Sequence, residues 1–193
     1  MNNVDEKNSM FDNGEIRFLD RNPPTHSSEE VCVALERHFG LRGALQPLDS
    51  ERDQNFQVSA NDGKRYVLKI ANAAETAEAI EFHLGALQHI KYTDPELPVP
   101  RVIRSADGRN YSQHQFPGGS DHFVYLLSYL DGVTADDAGF TFNATTCKRL
   151  GAFMARLDIA LRGYFHPAAE QDHPWNIAGC ERLRPLTKHV DTG

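Results

Sequence analysis

Residues 53–70 read Asp53-Gln54-Asn55-Phe56-Gln57-Val58-Ser59-Ala60-Asn61-Asp62-Gly63-Lys64-Arg65-Tyr66-Val67-Leu68-Lys69-Ile70, and this stretch decides the fold class. From Asn55 to Ala60, Phe56 and Val58 point to one side of a strand and Asn55 and Gln57 to the other, because successive strand side chains alternate. Asn61-Asp62-Gly63 is a tight-turn sequence, since Asn, Asp and Gly tolerate positive φ at little cost. Tyr66-Val67-Leu68-Lys69-Ile70 then reads as a second strand. Together they predict an antiparallel hairpin.

Upstream, Leu41–Leu48 reads as a further strand. Before it, Ser27 or Ser28 caps a helix whose first turn carries Glu29 and Glu30, the end of the helix dipole that favours acid. Val31, Leu35 and Phe39 recur at i, i+4 and i+8 as one apolar face, and Gly40 ends the helix. Downstream, residues 74–90 read as a helix rich in Ala and Glu that buries Ile80, Leu84, Leu87 and Ile90. Pro95, Pro98 and Pro100 impose an extended connector. Arg101–Arg104 is a short strand. Residues 106–120 are loop-like, with Asp107-Gly108 and Pro117-Gly118-Gly119. Phe123–Leu130 is a buried strand stopped by Asp131-Gly132. A helix then runs from an Asn143 cap to Leu161, with Leu150, Phe153, Met154, Leu157 and Leu161 at helical spacing.

Strands in hairpins with helices against them argue α+β rather than a doubly wound parallel sheet. Residues 1–24 form a polar arm, ordered at most around Ile16–Leu19. Residues 25–132 form the main lobe. Residues 133–193 form a linker helix and a tail in which Trp175, Leu183 and Leu186 make no periodic run.

The composition removes several function classes. The net charge of −7, without a Lys/Arg run, argues against sustained nucleic-acid binding. No apolar run is long enough for a membrane helix, and the polar, acidic start is not a signal peptide, so the expectation is a cytoplasmic protein. Cys32, Cys147 and Cys180 are far apart and form no C-x-x-C pair. The nine His, among them His114, His122, His166 and His173, lack the close pairing of zinc ligands. His166 belongs to the Phe165-His166-Pro167 turn. No G-x-S-x-G elbow marks a hydrolase.

Lys69 carries the chemistry. A lysine among Tyr66, Val67, Leu68 and Ile70 costs free energy unless its ammonium is paired or reaches solvent. The following helix offers Glu75, Glu78 and Glu81. A strand lysine followed by a helix glutamate is the layout that phosphoryl-transfer kinases use to grip ATP. At ~4 Å and an effective dielectric of 20, such a pair gains on the order of 4 kcal/mol before desolvation, enough to orient a lysine. Glu78 lies on nearly the same face as Glu81, so either fits. The loop Asp49–Phe56 is a polar turn whose amides could also lie over phosphates. It is neither a G-x-x-x-x-G-K-[ST] loop nor a G-x-G-x-x-G loop, both absent from the chain.

Asp53-Gln54-Asn55-Phe56, Tyr66–Ile70, Ile80-Glu81 and Leu126-Leu127-Ser128-Tyr129-Leu130-Asp131-Gly132 resemble the aminoglycoside phosphotransferase and choline kinase superfamily. Leu150–Asp158, Phe165-His166-Pro167 and Trp175-Asn176-Ile177 look like hydroxylysine kinases and the phosphotransferase domain fused to class III aminotransferases. The resemblance covers roughly residues 26–190. It implies a protein-kinase-like N-lobe, an antiparallel sheet with helices, plus the start of a truncated helical C-lobe. It implies Lys69 on the α/β-phosphates with Glu81 as its ion-pair partner, and Asn55 over the triphosphate. Val67 would pack on the base, and the backbone of Ser128 and Leu130 would meet the purine edge at a hinge. The cofactors would be ATP or GTP with Mg2+. The acceptor would be an amino alcohol, hydroxylysine first, then homoserine, choline-like amino alcohols and aminoglycosides.

Such kinases also need a catalytic Asp and metal-binding Asn and Asp residues. In the family these lie on an H-x-D-x-x-x-x-N loop and a later acidic motif. The full loop does not occur in the 193 residues, and Asp121-His122 and Asp172-His173 have the reverse order. The expectation is an ATP-gripping part with no catalytic or metal residues of its own and no useful turnover, the missing C-lobe or a fused domain being a further partner. The alternative is a lobe that binds a nucleotide or a partner chain without catalysis.

Overall fold

A computed structural model describes residues 23–119, 121–135, 137–139 and 141–170, together with Glu181 and Arg184. Ile16–Leu19, Asp172, His173, Trp175, Cys180, Leu183 and Leu186 lie outside the described residues. Pro23–Ala169 form one unit, and Met1–Asn22 with Glu170–Gly193 form another that is almost wholly undescribed.

In the first unit, α1 (Ser28–Phe39) leads into β1 (Gly43–Leu48), β2 (Gln54–Ala60) and β3 (Arg65–Ile70). Then come α2 (Ala77–Thr93), β4 (Val102–Ile103), β5 (Ser112–Gln115), β6 (Asp121–Ser128) and α3 (Ala144–Ala160), with a 3-10 turn at Pro167–Ala169. Ser27 caps α1 in a full capping box with Glu30, and Gly40 closes it in the left-handed conformation at φ 64°. The β2–β3 hairpin turns at Gly63, whose φ of 81° suits a residue without a Cβ.

All strand pairs are antiparallel, in the order β1-β2-β3-β6-β4, with β5 also on β6. Asn55 pairs with Lys69 and Lys69 with Tyr125. The sheet therefore has two unlike faces. Phe56, Val58, Tyr66, Leu68, Ile70, Val124 and Leu126 meet Val31, Ala34 and Leu35 of α1 and the ring of Phe116. Each such side chain, fully buried, contributes roughly 1.5–3 kcal/mol. On the opposite face, Ile80 and Leu84 of α2 pack on Ala71 and Tyr125, with Val102, Phe123 and Leu127 against them.

A third, smaller cluster joins Ile90, Leu97 and Ala160, with Phe153 and Leu157 packed beside it. It fastens the C-terminal end of α3 to α2, supported by a two-pronged Arg156–Asp94 ion pair at 2.7 Å. Gly85 lets the two segments close: a Cβ there would meet the Tyr164 hydroxyl at 2.4 Å, and that hydroxyl donates to the Phe82 carbonyl at 2.7 Å.

The α+β reading, the hairpin and the three helices agree with this architecture. Several bounds differ, three of them with a clear local cause. Helix α2 begins at Ala77 because the Thr76 side chain caps it, rather than at residue 74. The strand read as Phe123–Leu130 is Asp121–Ser128, so Leu130 lies beyond the sheet. The 106–120 stretch holds β5, whose buried positions are the polar Ser112 and His114, so no apolar alternation announced it.

Candidate functional site

On the second face of the sheet, helix α2 covers the half over β6 and β4. The β1–β3 half carries Gln46, Leu48, Asn55, Gln57, Val67 and Lys69, all exposed or half-buried. The border between the halves is a polar row across three strands, Asn55, Lys69 and Tyr125. The Lys69 ammonium stands 5.8 Å from the centre of the Tyr125 ring. Burial, then the Asp53 and Glu75 carboxylates, push the Tyr125 phenol far above its ordinary value, so it stays protonated. The Asn55 side-chain oxygen is buried and accepts no protein hydrogen bond. An amide oxygen left without a donor is costly, and a hydrogen-bond donor from water or a ligand would satisfy it.

The structure corrects the partner of Lys69. Its ammonium pairs with Asp53 at 3.1 Å, both side chains being largely covered. The Glu81 carboxylate instead accepts a hydrogen bond from the Tyr111 hydroxyl at 2.8 Å, on the β5 side of α2. Helix phase explains this. Ile80 and Leu84 face the sheet, which turns Glu81 toward Tyr111 and leaves it exposed, as Glu78 also is. Burial, then the Glu81 bond, raise the Tyr111 phenol above its usual range, so it remains a donor at neutral pH. Glu75 pairs with Arg52.

At the far end of β6, the Ser128 N–H donates to the Arg101 carbonyl at 2.8 Å, and its hydroxyl accepts the Arg101 N–H at 2.8 Å. What the Ser128 main chain has left to offer a base edge is its carbonyl. The Tyr129 N–H bonds the Arg65 carbonyl, while the Arg65 guanidinium lies 4.6 Å over the Tyr129 ring and pairs with Asp131. Arg65 thus ties down the segment that leads to Leu130, which is half exposed.

Lys69, Asn55 and Val67 share one open face, Ser128 and Leu130 follow at its β6 end, and Glu81 stands apart. Sequence reasoning missed Asp53 as the partner of Lys69. Among the described residues, no group of three or more His, Cys, Asp or Glu could hold a metal ion. No helix among them is long and apolar enough to cross a membrane. The sequence does contain one H-x-D, against the expectation that it has none. His189-Val190-Asp191 reads H-x-D; it lies outside the described residues, with two residues after it.

Residues 44–185 match the sequence model of the phosphotransferase enzyme family, APH. A hydroxylysine kinase of Danio rerio is 30% identical over 150 residues, 75% of this chain and 41% of the relative. One of Mus musculus is 28% identical over 171 residues, 80% of this chain and 44% of the relative. The chain thus spans less than half the length of these relatives. Among solved structures, amicoumacin kinase hAmiN, in complex with AMP-PNP, Ca2+ and Ami, superposes with a TM-score of 0.64 at 15% identity, over 83% of this chain and 48% of that one. A microcompartment-associated aminopropanol kinase gives 0.59 at 20% identity, over 80% and 48%. At these identities the likeness is one of fold.

Proposed function

Because the chain belongs to the phosphotransferase enzyme family, we propose that its half-open sheet face binds the nucleotide of a small-molecule kinase working in the cytoplasm. The observation that carries this reading is the Lys69 ammonium, set on that half-open face and held there by Asp53. Lys69 supplies positive charge to the α/β-phosphates of ATP or GTP, and Asn55 lies next to them. Val67 gives the base an apolar floor. The Ser128 carbonyl and the Leu130 N–H meet its edge, held in place by Arg101 and Arg65. Bound with Mg2+, the nucleotide supplies the γ-phosphate; this chain's described residues grip and orient it.

The acceptor is the hydroxyl of an amino alcohol. Hydroxylysine comes first, supported by the two relatives that bear that name. Homoserine, choline-like amino alcohols and aminoglycosides follow. A second reading, a lobe that binds a nucleotide or partner chain without turnover, is favoured by the Leu150, Met154 and Ile159 side chains that α3 presents to solvent.

Calorimetric titration of the chain with MgATP and MgGTP tests the nucleotide reading. Binding is expected, and Lys69→Met weakens it at least about tenfold, since hydrogen bonds to a charged group are each worth roughly 1.5–3 kcal/mol. No binding, or equal binding by Lys69→Met, overturns it.

A further inference from the structure

A lysine that grips phosphates has to be held in place, and the chain holds Lys69 from the loop before β2. Pairing of Asn55 with Lys69 sets Asp53, two residues earlier on the same face, diagonally beside the ammonium. One carboxylate oxygen of Asp53 takes that ammonium at 3.1 Å. The other accepts the main-chain N–H of Asn72 at 3.2 Å. The Asp53 N–H itself bonds the Ser50 hydroxyl at 3.2 Å. The same loop is stapled twice more to the β3–α2 connection. The Asn72 side-chain amide donates to the Arg52 carbonyl at 3.1 Å, and the Arg52 guanidinium pairs with Glu75.

These bonds fix the Asp53 carboxylate by contacts that do not involve Lys69. A carboxylate already immobilised loses little further entropy in orienting a long side chain. It also occupies only part of the ammonium, which has three donors. Asp53 can therefore stay in place when a phosphate arrives. Glu81 has neither property: it is exposed, on a helix, and engaged by Tyr111.

We infer that Asp53, and not Glu81 of α2, is the positioning residue that aims Lys69 at the phosphates. The inference rests on the nucleotide reading of this face. It makes the Asp53-x-Asn55 stretch and Lys69 a single device, built across one hairpin.

The test compares ATP with adenosine on the full chain, for wild type, Lys69→Met, Asp53→Asn and Glu81→Gln. Asp53→Asn keeps an oxygen for the Asn72 N–H and removes the charge opposite Lys69. The expected result is a loss of about tenfold in ATP affinity for Asp53→Asn, from a partly covered charge pair, with adenosine affinity unchanged. Glu81→Gln stays within about twofold of wild type for both ligands. ATP binding by Asp53→Asn that equals or exceeds wild type, while Lys69→Met loses it, overturns the inference: Asp53 is then a bystander, or an occupant that phosphate displaces. A parallel loss of ATP and adenosine also overturns it, by assigning Asp53 to the scaffold alone. If wild type fails to bind ATP, or Lys69→Met binds it as well as wild type does, the nucleotide reading itself falls and takes the inference with it.

Discussion

The two faces of the sheet are made by alternate residues of the same strands, and they are built to opposite rules. Under α1, Val58, Leu68, Ile70, Val124 and Leu126 have no measurable exposure and pack in one apolar cluster. On the other face their immediate neighbours are Gln57, Val67 and Lys69, left half-buried with Lys69 paired to Asp53, and Tyr125, covered by α2. Strand alternation lets one hairpin serve both ends without compromise. The closed face supplies stability, and the half-open face can then tolerate a desolvated lysine and a donor-less amide. The cost of those polar groups is carried by carbon one residue away.

Adjacent substitutions should separate the faces most sharply. Leu68→Ala empties a fully buried position and is expected to cost about 2–5 kcal/mol in urea unfolding. Val67→Ala, its neighbour on the half-open face, should cost less than about 1 kcal/mol and act instead on ATP affinity. Equal destabilisation by the two would break the comparison, because it would mean that both faces are core.

Acid should attack the closed face next. It contains four histidines. The His26 ring stacks on Phe116 at 3.7 Å and meets His122 edge-on, and His38 Nε2 shares a 3.0 Å hydrogen bond with His114 Nδ1. One ring of that pair must donate and the other accept, so the pair cannot hold a full complement of protons. Burial holds His26, His38 and His114 below the ordinary imidazole value. His122 adds to the effect on His26, Arg37 to that on His38, and His38 and Arg37 to that on His114; Glu30 opposes it at His26 and Asp107 at His38. These groups bind protons more readily unfolded than folded. Stability is therefore expected to be full above the ordinary value of about 6.5 and to fall as pH drops through it toward the lowered native values. The urea midpoint measured from pH 7.5 to 5.5 checks this, and His114→Phe should flatten the dependence. A midpoint that does not move over that range would mean that water reaches the cluster.

Much of this was legible in the sequence. Asn61-Asp62-Gly63 fixes the hairpin's centre, and reflection about Asp62 puts Asn55 opposite Lys69 with Asp53 diagonal to it. The true partner of Lys69 was thus within reach of register arithmetic. Glu81 is the partner that the family layout implies, but a residue next to buried Ile80 is turned well away from the sheet. Strand β5 was hidden for a different reason. Its inward positions, Ser112 and His114, are polar and satisfied locally, so hydropathy carries no period there. The Arg65 and Arg101 contacts around the hinge depend on long side chains reaching across loops, which spacing does not encode.

The smallest expected effect extends the comparison to the helices. Helices α1 and α3 each begin on a capping side chain: Ser27 accepts the Glu30 N–H, and Asn143 accepts the Thr146 N–H at 3.0 Å. Loss of either cap costs about 1 kcal/mol of helix free energy. Yet Val31, Ala34 and Leu35 lock α1 into the core within two turns of its cap, whereas α3 buries only Ala160, at its opposite end. Ser27→Ala should therefore lower the global urea midpoint, because α1 cannot fray without opening the closed face. Asn143→Ala should leave that midpoint nearly unchanged and raise amide exchange about fivefold over residues 146–150, the turn that the cap alone secures. If the two variants lower the midpoint equally, the start of α3 is coupled to the core after all, and its exposed apolar side chains must be read as part of a packed surface.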